Sequence, residues 1–353
     1  MPDTSTTVRF DCPIPDLEDC LRRLLDQIPP GRVTSCGILA EALGSSFAAR
    51  WVGHFALHHA HRNQCPCHRI VRHDGALGPY IAGPTALKAQ LLAAEGVSIE
   101  AERVNLTLHA FSAFVSDYPL QRLREEQAKV QAQVRLCRRT RMPKYVAGVD
   151  VAYPRPSEAV AAYALVETDS GKLVWSTIVR RSVAFPYISS FLSFREVPIL
   201  LDLLAEVRRL GRSAEVVLVD GSGILHQRRV GVASHLGVVA GLPTIGVTKK
   251  LLYGRVKIEG MAPGESRPVW ATSEEHFSGL SAPATAGKRG KKQSLLGVAL
   301  RPTAGSRRPI FISPGHRVDV PFSEQLVRCL LFGRRLPAPL YWAHRLSVQG
   351  GKV

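Results

Sequence analysis

Cysteines, acidic residues and long apolar runs are all scarce in this sequence. Its 353 residues include seven cysteines, an odd number and a low one for this length, which argues against a disulfide framework and predicts reduced thiols in the cytoplasm. No run of 18 uncharged apolar residues occurs, so the sequence predicts no membrane span. The opening residues lack the basic and then apolar pattern of a secretory signal. We therefore expect a cytoplasmic protein without a membrane partner.

The shortage of acidic residues leaves a large positive charge. The chain has 46 Lys and Arg against 29 Asp and Glu, for a net charge of +17. The excess is uneven, because residues 1–113 hold 10 basic and 11 acidic residues, whereas residues 114–353 hold 36 and 18. Nucleic acid is the expected partner, since basic groups that neutralise phosphates release counterions. The alternative is a basic protein whose charge only keeps it soluble.

Composition and periodicity predict a globular chain of two domains. An apolar fraction of 45% excludes wholesale disorder, and the length is enough for about two domains. The first part is predicted to be helical, with an amphipathic helix at 16–25 and a helix-turn-helix whose recognition helix, 47–57, is capped by Ser45 or Ser46. After a boundary at 105–116 the pattern becomes α/β. The later predicted elements are helices at 119–139, 197–208 and 230–240, strands at 145–153, 160–166, 173–179, 215–220, 244–247 and 294–300, and a loop at 261–292.

Two of the predicted strands each contain a mostly apolar stretch that ends at an aspartate. They are YVAGVD and EVVLVD, which end at Asp150 and Asp220, and Glu196 stands between them in the chain. A charge in an apolar strand is costly unless it is paired or bound to a metal. Three carboxylates brought together would offer the hard oxygen ligands that Mg²⁺ or Mn²⁺ prefers, as metal-assisted phosphodiester hydrolysis requires. The alternative is that both aspartates cap the loops at their strand ends.

Five motifs surround these carboxylates in order, namely AGVDVAY, FPYISSFLSFREVP, VDGSGILHQRRVGVASHLGV, LPTIGVTKKLLYG and SPGHR. Together they resemble the endonuclease V family over residues 115–346. The resemblance implies an RNase H-like fold and an endonuclease, dependent on Mg²⁺ with Mn²⁺ as an alternative, that nicks DNA near deaminated bases, chiefly hypoxanthine. An inosine-directed ribonuclease is the alternative reaction, with RNA in place of DNA.

The resemblance also assigns roles to single residues of the nuclease. Asp150 and Asp220 match the direct metal ligands, and Glu196 matches a third acidic ligand that acts directly or through water. His316 is similar to the histidine beside the metal that orients water or a phosphate oxygen. Lys249 resembles the lysine that contacts the scissile phosphate, where a point charge suits a developing oxyanion.

Recognition of the damaged base is implied for a second group of residues. Tyr187 matches the aromatic wedge that fills the gap left by an extruded base. Where the family usually has Tyr-Ile-Pro-Gly, this chain has Tyr187-Ile188-Ser189-Ser190, which removes the rigidity of proline and the freedom of glycine. The residues that fall where the family forms its base pocket are Leu192, Gly221, Gly231 and Val232.

Three further features each carry two interpretations. His226 and His235 are either functional or structural histidines, and the basic run at 288–292 is either a solvated loop or a nucleic-acid contact.

A second candidate site lies in the first part of the chain, where Cys67 stands beside His68 in the tetrapeptide PCHR. Only a thiolate attacks as a nucleophile, and a neighbouring base or cation lowers the pKa of a thiol. Two alternatives remain, a zinc site made by Cys65, Cys67 and His68, which lacks a paired CxxC element, and an inert buried cysteine.

The motifs IPPGRVTSCGILAEALG, AARWVG, PCHRIV, DGALGPYIAG and LLAAEGV resemble the DNA-binding domain of alkylguanine-DNA alkyltransferases and alkyltransferase-like proteins, over residues 7–106. The resemblance implies that Cys67 is the alkyl acceptor and that His68 relays its proton through water. Glu95 orients that relay, Arg50 takes the place of the flipped base, and Tyr80 lines the base pocket.

The chain departs from the alkyltransferase pattern at three places. Cys36 replaces the tyrosine of the S-Y-G turn, His59 replaces the asparagine hinge, and NQC replaces the apolar residues before Pro66. Two functions of this part therefore stay open, a Cys67-dependent alkyltransferase and a non-catalytic module that scans DNA for lesions. A binding protein with both sites silent is disfavoured because every acidic residue of the nuclease motifs is present.

The sequence as a whole predicts a DNA repair enzyme of mixed α+β and α/β class with two domains. Residues 7–110 are expected to form an alkyltransferase-like domain of winged helix-turn-helix type. Residues 115–346 are expected to form an RNase H-like endonuclease V domain. Damaged or deaminated DNA is the expected partner.

Overall fold

The computed structural model of the chain describes residues 12–62, 65–272 and 294–351. Across these three ranges, no helix is both long and apolar enough to cross a membrane. The chain divides into two compact units. The first unit comprises Pro13–Glu125 together with Ala184–Phe191, and the second comprises Cys12, Glu126–Val183 and the described residues from Leu192 onward. The basic run at 288–292 lies outside the described residues.

The first unit is built from short helices with two small sheets. Its helices are α1 (Leu17–Leu25), α2 (Cys36–Ala42), α3 (Ala49–His58), α4 (Thr85–Ala94), α5 (Leu106–His109) and the start of α6 (Pro119–Ala132), with 3-10 turns at Ser46–Ala48 and Pro66–Arg69. Its strands β1 (Thr34–Ser35) and β2 (Ile70–Val71) pair in parallel, and β3 (Ile99–Glu100) and β4 (Arg103–Val104) pair antiparallel.

The predicted helix-turn-helix is present as α2 and α3, although its second helix starts differently. Ser35 caps α2 by accepting a hydrogen bond from the backbone of Ile38 at 3.3 Å. Ser45 makes no such side-chain bond, and the chain passes through the 3-10 turn before α3 begins at Ala49. The predicted serine cap of the second helix is therefore wrong, because the tighter turn satisfies this backbone in its place.

The second unit is organised around one eight-stranded mixed sheet. Its strands are β5 (Tyr145–Arg155), β6 (Glu158–Glu167), β7 (Leu173–Ser182), β8 (Val216–Asp220), β9 (Thr244–Thr248), β10 (Ser266–Trp270), β11 (Leu295–Leu300) and β12 (Ile310–His316). The order across the sheet is β10-β11-β12-β9-β8-β5-β6-β7. The three central strands β9, β8 and β5 run parallel and the outer pairs are antiparallel.

Helices cover both faces of this sheet. They are α7 (Leu192–Arg209), α8 (Val232–Ala240), α9 (Val320–Cys329) and α10 (Ala338–Gly350). Successive side chains of a strand point to opposite faces, and β8 shows the result. Val217 and Val219 pack with α7 and α8, whereas Val216 and Leu218 pack with α9 and α10. A strand buried on both faces reads as a continuous apolar run.

Several predicted boundaries are corrected by the structure. Helix α6 ends at Ala132 rather than 139, because the backbone N–H and C=O of Arg135 are bonded to His316 and Arg317 instead of continuing a helix. Helix α7 begins at Leu192 rather than 197, and Pro198 lies inside it. Strand β10 lies within the predicted loop 261–292; its Pro268 is tolerated because β10 is an edge strand.

Candidate active sites

Parallel pairing of β5 and β8 brings two aspartates to the same edge of the sheet. Val146 pairs with Val216 and Val149 with Val219. Asp150 and Asp220 are the next residues of the two strands, so the register places them side by side. The predicted meeting of these carboxylates therefore follows from strand pairing.

Helix α10 supplies two hydrogen bonds to Asp150. The carboxylate oxygen Oδ2 accepts one from His344 Nδ1 at 3.0 Å and one from Ser347 Oγ at 2.8 Å. The helix can approach β5 this closely because residue 148 is glycine; a Cβ there would collide with the backbone of Pro339. Asp150 is only 8% exposed, so these two bonds hold its orientation.

Glu196 lies on α7 and is buried beside the two aspartates. Burial, followed by the negative charges of Asp150 and Asp220, raises the pKa of Glu196 well above its ordinary value. The neighbouring Arg195 stacks over the Tyr153 ring at 4.2 Å and offsets part of this effect. Three mutually repelling carboxylates in a buried place form a donor set that fits a divalent cation with oxygen ligands.

Lys249 provides a positive charge at the same place. Its Nζ lies 2.8 Å from Oδ2 of Asp220. Burial and the charge of Asp150 raise the pKa of Asp220, and Lys249 offsets part of that increase. Lys249 and Arg195 together provide two positive charges against three carboxylates, which leaves negative charge for a cation to balance.

His316 ends strand β12 and is buried. Its Nδ1 accepts a hydrogen bond from the backbone N–H of Arg135 at 3.2 Å, so in the neutral ring Nε2 carries the proton. Burial, together with the charges of Arg317 and Arg135, lowers the pKa of His316. The ring is thus held neutral, with one N–H to donate.

Three of the four predicted pocket residues meet where the loop after β8 packs on the start of α8. A Cβ on Gly221 would lie 3.1 Å from Cβ of Val232, and a Cβ on Gly231 would collide with Ser222. Leu192, at the start of α7, is partly buried against the same hydrophobic cluster as Val232.

Tyr187 belongs to the segment Ala184–Phe191 of the first unit. Its side chain is 64% exposed, whereas the adjacent Ile188 is 1% exposed. Ser190 adopts a left-handed conformation with φ of +73°, which costs more for serine than for the glycine of the family pattern. The buried side chain of Ile188 therefore fixes this segment, while the ring of Tyr187 is open to solvent.

Cys67 of the first unit lies in the 3-10 turn Pro66–Arg69 and is 4% exposed. The turn is positioned by the parallel pairing of β2 with β1, the strand that leads into α2. A hydrogen bond with Cys65, and then burial, raise the pKa of the Cys67 thiol. The Cys67 sulfur also lies 3.5 Å from Nδ1 of His61.

Glu95 is hydrogen-bonded to His68, the residue predicted to relay the proton of Cys67. It accepts hydrogen bonds from His68 Nε2 at 2.8 Å and from Arg69 NH2 at 2.7 Å. Burial alone would raise the pKa of Glu95, but the bonds from Arg69, His68 and the Gly31 N–H outweigh it and lower the pKa to about 2. Glu95 is therefore an ionised acceptor for the hydrogen bond from His68.

Three other residues complete this region. Tyr80 packs its ring edge-on to His61 and His68, with centroids 6.1 and 6.4 Å apart. Arg50 is exposed on α3, the predicted recognition helix. Lys88 was not predicted; it is 2% exposed and donates to the carbonyl oxygens of Ile70 and Leu77, which ties together the backbone on either side of the 72–76 turn.

Comparison with known proteins matches two family models. Residues 128–345 match endonuclease V, and residues 17–97 match the DNA-binding domain of 6-O-methylguanine DNA methyltransferase. A bifunctional methyltransferase/endonuclease of Picrophilus torridus is 34% identical over 69% of this chain and 77% of its own length. The endonuclease V of Azotobacter vinelandii is 37% identical over 57% of this chain and 81% of its own. The chain belongs to the endonuclease V family.

The fold agrees with this assignment. The catalytic domain of human endonuclease V is 31% identical, covers 67% of this chain and 97% of its own, and superposes with a TM-score of 0.57. The predicted fold of the nuclease part is therefore confirmed. The alkyltransferase-like domain is confirmed by the family match to 17–97 and by the bifunctional relative. The protein is a DNA repair endonuclease fused to an alkyltransferase-like domain.

Sequence reasoning missed two groups of residues in this endonuclease V family member. His344 and Ser347 were missed because they lie 194 and 197 residues from Asp150 in the chain, although a serine and a histidine one helical turn apart were a signal to consider. The partners of Cys67 and Cys65 were missed because no spacing rule joins them to His59 and His61.

Proposed function

We propose that the chain nicks DNA beside deaminated bases, chiefly hypoxanthine, at Asp150, Glu196 and Asp220. The observation that carries the proposal is the register of β5 and β8, which sets Asp150 and Asp220 side by side. Glu196 is buried on α7, and the charges of both aspartates contribute to its raised pKa. The net charge of +17 supports a nucleic-acid substrate.

The three carboxylates would hold the metal, which we propose to be Mg²⁺, with Mn²⁺ as a substitute. When bound, such an ion activates water and stabilises the leaving oxygen of the phosphodiester. His344 and Ser347 hold Asp150 in one orientation. Lys249 offers its ammonium group to a phosphate oxygen where negative charge develops.

His316 has a different part in the reaction. Because its Nδ1 accepts from the backbone of Arg135, its Nε2–H can donate to water or to a phosphate oxygen. Because the pKa of His316 is lowered, its ring is neutral at physiological pH. Its proposed role is therefore to orient water or a phosphate oxygen, and not to supply a positive charge.

Base recognition is proposed for Tyr187 and for the loop that contains Gly221 and Gly231, with Leu192 and Val232. The exposed ring of Tyr187 would stack in the gap left by the extruded base. Small residues in the loop leave room for a planar base close to the backbone.

For the first unit we propose that Cys67 accepts an alkyl group from alkylated guanine. The sulfur forms a new bond to the alkyl carbon, the bond from that carbon to guanine breaks, and the thiol proton passes through water to His68, which Glu95 orients. Arg50 would replace the flipped base in the stack and Tyr80 would line its pocket. The raised pKa of Cys67 and its burial favour a second candidate, a module that scans DNA without transferring a group.

One experiment tests the nuclease. The full chain is incubated with Mg²⁺ and a duplex that contains one hypoxanthine, and nicks are mapped on a denaturing gel. Nicking close to the lesion is expected, with loss of more than about 10³-fold in Asp220→Asn, because one metal ligand is neutralised. Asp202→Asn, which alters an exposed acid paired with Arg181, is the matched control. Cleavage of an inosine-containing RNA alone would assign the ribonuclease reaction instead.

A parallel reaction tests the first unit. With a duplex that contains methylated guanine, the intact mass of the chain should increase by one methyl group, and Cys67→Ser should abolish the increase while binding remains. Binding without any adduct would assign the scanning module.

We also propose a reducing, cytoplasmic location. The support is that none of the seven cysteines, all of them among the described residues, forms a disulfide, which suits a compartment that keeps thiols reduced.

A further inference from the structure

The first unit contains a cluster of histidines and cysteines of which the proposed functions use only Cys67. It consists of His59, His61, Cys65 and Cys67, one nitrogen or sulfur ligand atom of each lying within 4.8 Å of the others. Among the described residues, this is the only group of three or more histidines, cysteines and acids gathered so tightly. We propose that this cluster binds a Zn²⁺ ion.

The distances between the ligand atoms suit an ion with tetrahedral coordination. His59 Nε2 lies 3.2 Å from Cys65 Sγ, and His61 Nδ1 lies 3.5 Å from Cys67 Sγ. With Zn–S and Zn–N bonds of about 2.3 and 2.0 Å, tetrahedral geometry places neighbouring ligand atoms about 3.3–3.8 Å apart. Both measured pairs are within a few tenths of an ångström of this range, and all four ligand atoms lie within 4.8 Å of one another, so only small adjustments bring them to bonding distance.

The surroundings of His59 prepare it to act as a ligand. Its Nδ1 donates to the carbonyl oxygen of Phe55 at 2.8 Å, and its ring stacks on the Phe55 ring with centroids 4.9 Å apart. In the neutral ring this leaves Nε2 with a lone pair aimed at Cys65. A metal-binding histidine almost always donates its other N–H to a backbone carbonyl or carboxylate in this way.

The chemistry of the donors selects the metal. Two sulfurs and two imidazole nitrogens form the Cys₂His₂ set that is typical of structural zinc sites, whereas Mg²⁺ requires oxygen ligands. A cavity of about 240 Å³ lined by His59, Cys65 and Pro66 gives an ion access from solvent. The cluster and the three carboxylates therefore take different metals.

Two of the four ligands are the unexplained departures from the alkyltransferase pattern. His59 stands at the position of the asparagine hinge, and Cys65 ends the NQC tripeptide. The proposed zinc site accounts for both departures, because His59 and Cys65 complete a set of four ligands with His61 and Cys67. The site depends on these four side chains and not on whether Cys67 accepts an alkyl group.

A metal analysis of the full chain tests the proposal. The protein is purified with zinc present, freed of loosely bound metal by gel filtration in millimolar Mg²⁺, and assayed for zinc per chain. One equivalent is expected. Cys65→Ser and His59→Gln should each reduce affinity by more than about tenfold, since even changes to outer partners of a ligand have effects of that size. Cys20→Ser and His58→Gln, which alter residues of the same unit outside the cluster, are the matched controls.

Cobalt substitution gives a second measurement that does not depend on activity. Co²⁺ in the site should show a thiolate-to-metal charge-transfer band, reduced by about half in Cys67→Ser because one of two sulfurs is lost. Circular dichroism verifies that each variant is folded. A chain that retains no zinc, a Cys65→Ser variant that retains all of it, or a cobalt spectrum without the thiolate band would overturn the proposal.

Discussion

Asp150 shows at the residue scale how hydrogen bonds fix the orientation of a buried carboxylate. Its Oδ2 accepts from His344 and Ser347, both on α10, while its charge raises the pKa of Glu196 and Asp220. Neither α10 residue need touch the reacting atoms. We therefore regard both as positioning residues.

Ser347→Ala should reduce nicking by about 10- to 100-fold, as losses of outer-shell partners do. The fold should lose only about 1 kcal/mol, the usual contribution of one hydrogen bond. Initial rates are measured over a Mg²⁺ titration, because misplacement of Asp150 should also raise the Mg²⁺ concentration required. Ser323→Ala, which removes a buried hydroxyl bonded to the backbone of α9, is the control. Equal rates in the two variants would contradict the positioning role.

His235 should make the fold sensitive to acid. It is buried on α8 with its ring edge-on to Phe194, and burial lowers its pKa from 6.5 to about 4. As the pH falls from 6.5 to 4, the unfolded chain takes up this proton before the folded chain does, so stability present above pH 6.5 is progressively lost.

Chemical denaturation at pH 7 and at pH 4 checks this. The wild type should lose about 3 kcal/mol more between the two values than His235→Leu does. His73→Leu, at an exposed histidine, should behave as the wild type. An identical pH dependence of His235→Leu and wild type would show that this ring does not titrate with unfolding.

Tyr187→Ala should impair nicking of a base-paired lesion by about tenfold, the value of one stacking contact. The same lesion in a single strand should be affected less, because an unpaired base needs less energy to leave the stack. The ratio of the two rates is the measurement. Tyr118→Ala, which removes another exposed tyrosine, is the control. Equal losses on both substrates would make Tyr187 a structural residue.

At the scale of elements, the contact of α10 with β5 joins the fold to the site. Gly148→Ala should place a methyl group against the backbone of Pro339, push the helix outward and destabilise the fold by about 1–3 kcal/mol. Nicking should fall as well, since His344 and Ser347 move with the helix. Gly305→Ala, where a Cβ meets nothing within 4 Å, is the control. Thermal denaturation and nicking rates are the measurements, and an unchanged Gly148→Ala variant would contradict the close packing.

Element prediction succeeded where periodicity and burial agree. Strands β5, β6 and β8 were predicted from continuous apolar runs. Such runs occur because both faces of these strands are buried. The predicted helix at 119–139 was too long because Arg135 bonds to His316, a residue 181 positions away. The strand at Ser266–Trp270 was missed since an edge strand with a proline carries little pattern.

At the scale of the whole molecule, charge should govern affinity for DNA. The affinity of the full chain should fall by about 10³-fold between 50 and 200 mM salt, as it does for proteins that neutralise several phosphates. Arg138 and Arg141 are exposed and follow Arg135, whose backbone contacts His316. We therefore expect them to bind phosphates near the nuclease site.

The double variant Arg138→Gln with Arg141→Gln should reduce the slope of log K against log salt by about 2. Fluorescence anisotropy with an undamaged duplex measures it. Arg209→Gln, at an arginine already paired with Glu206, should leave the slope unchanged. A slope that is the same in both variants would place the phosphate contacts elsewhere.

The sequence by itself determined that the chain combines an endonuclease V part with an alkyltransferase-like part, and it predicted the carboxylates of the first and the Cys67, His68 and Glu95 set of the second. Those residues occur in short motifs, and the meeting of Asp150 and Asp220 needs only the parallel pairing of adjacent strands. Tertiary structure alone decided which side chains support them. His344 and Ser347 reach Asp150 across 194 and 197 residues, and His59 and His61 meet Cys65 and Cys67 where α3 ends against the 3-10 turn. Contacts of that kind depend on how helices pack, which no local pattern of residues records.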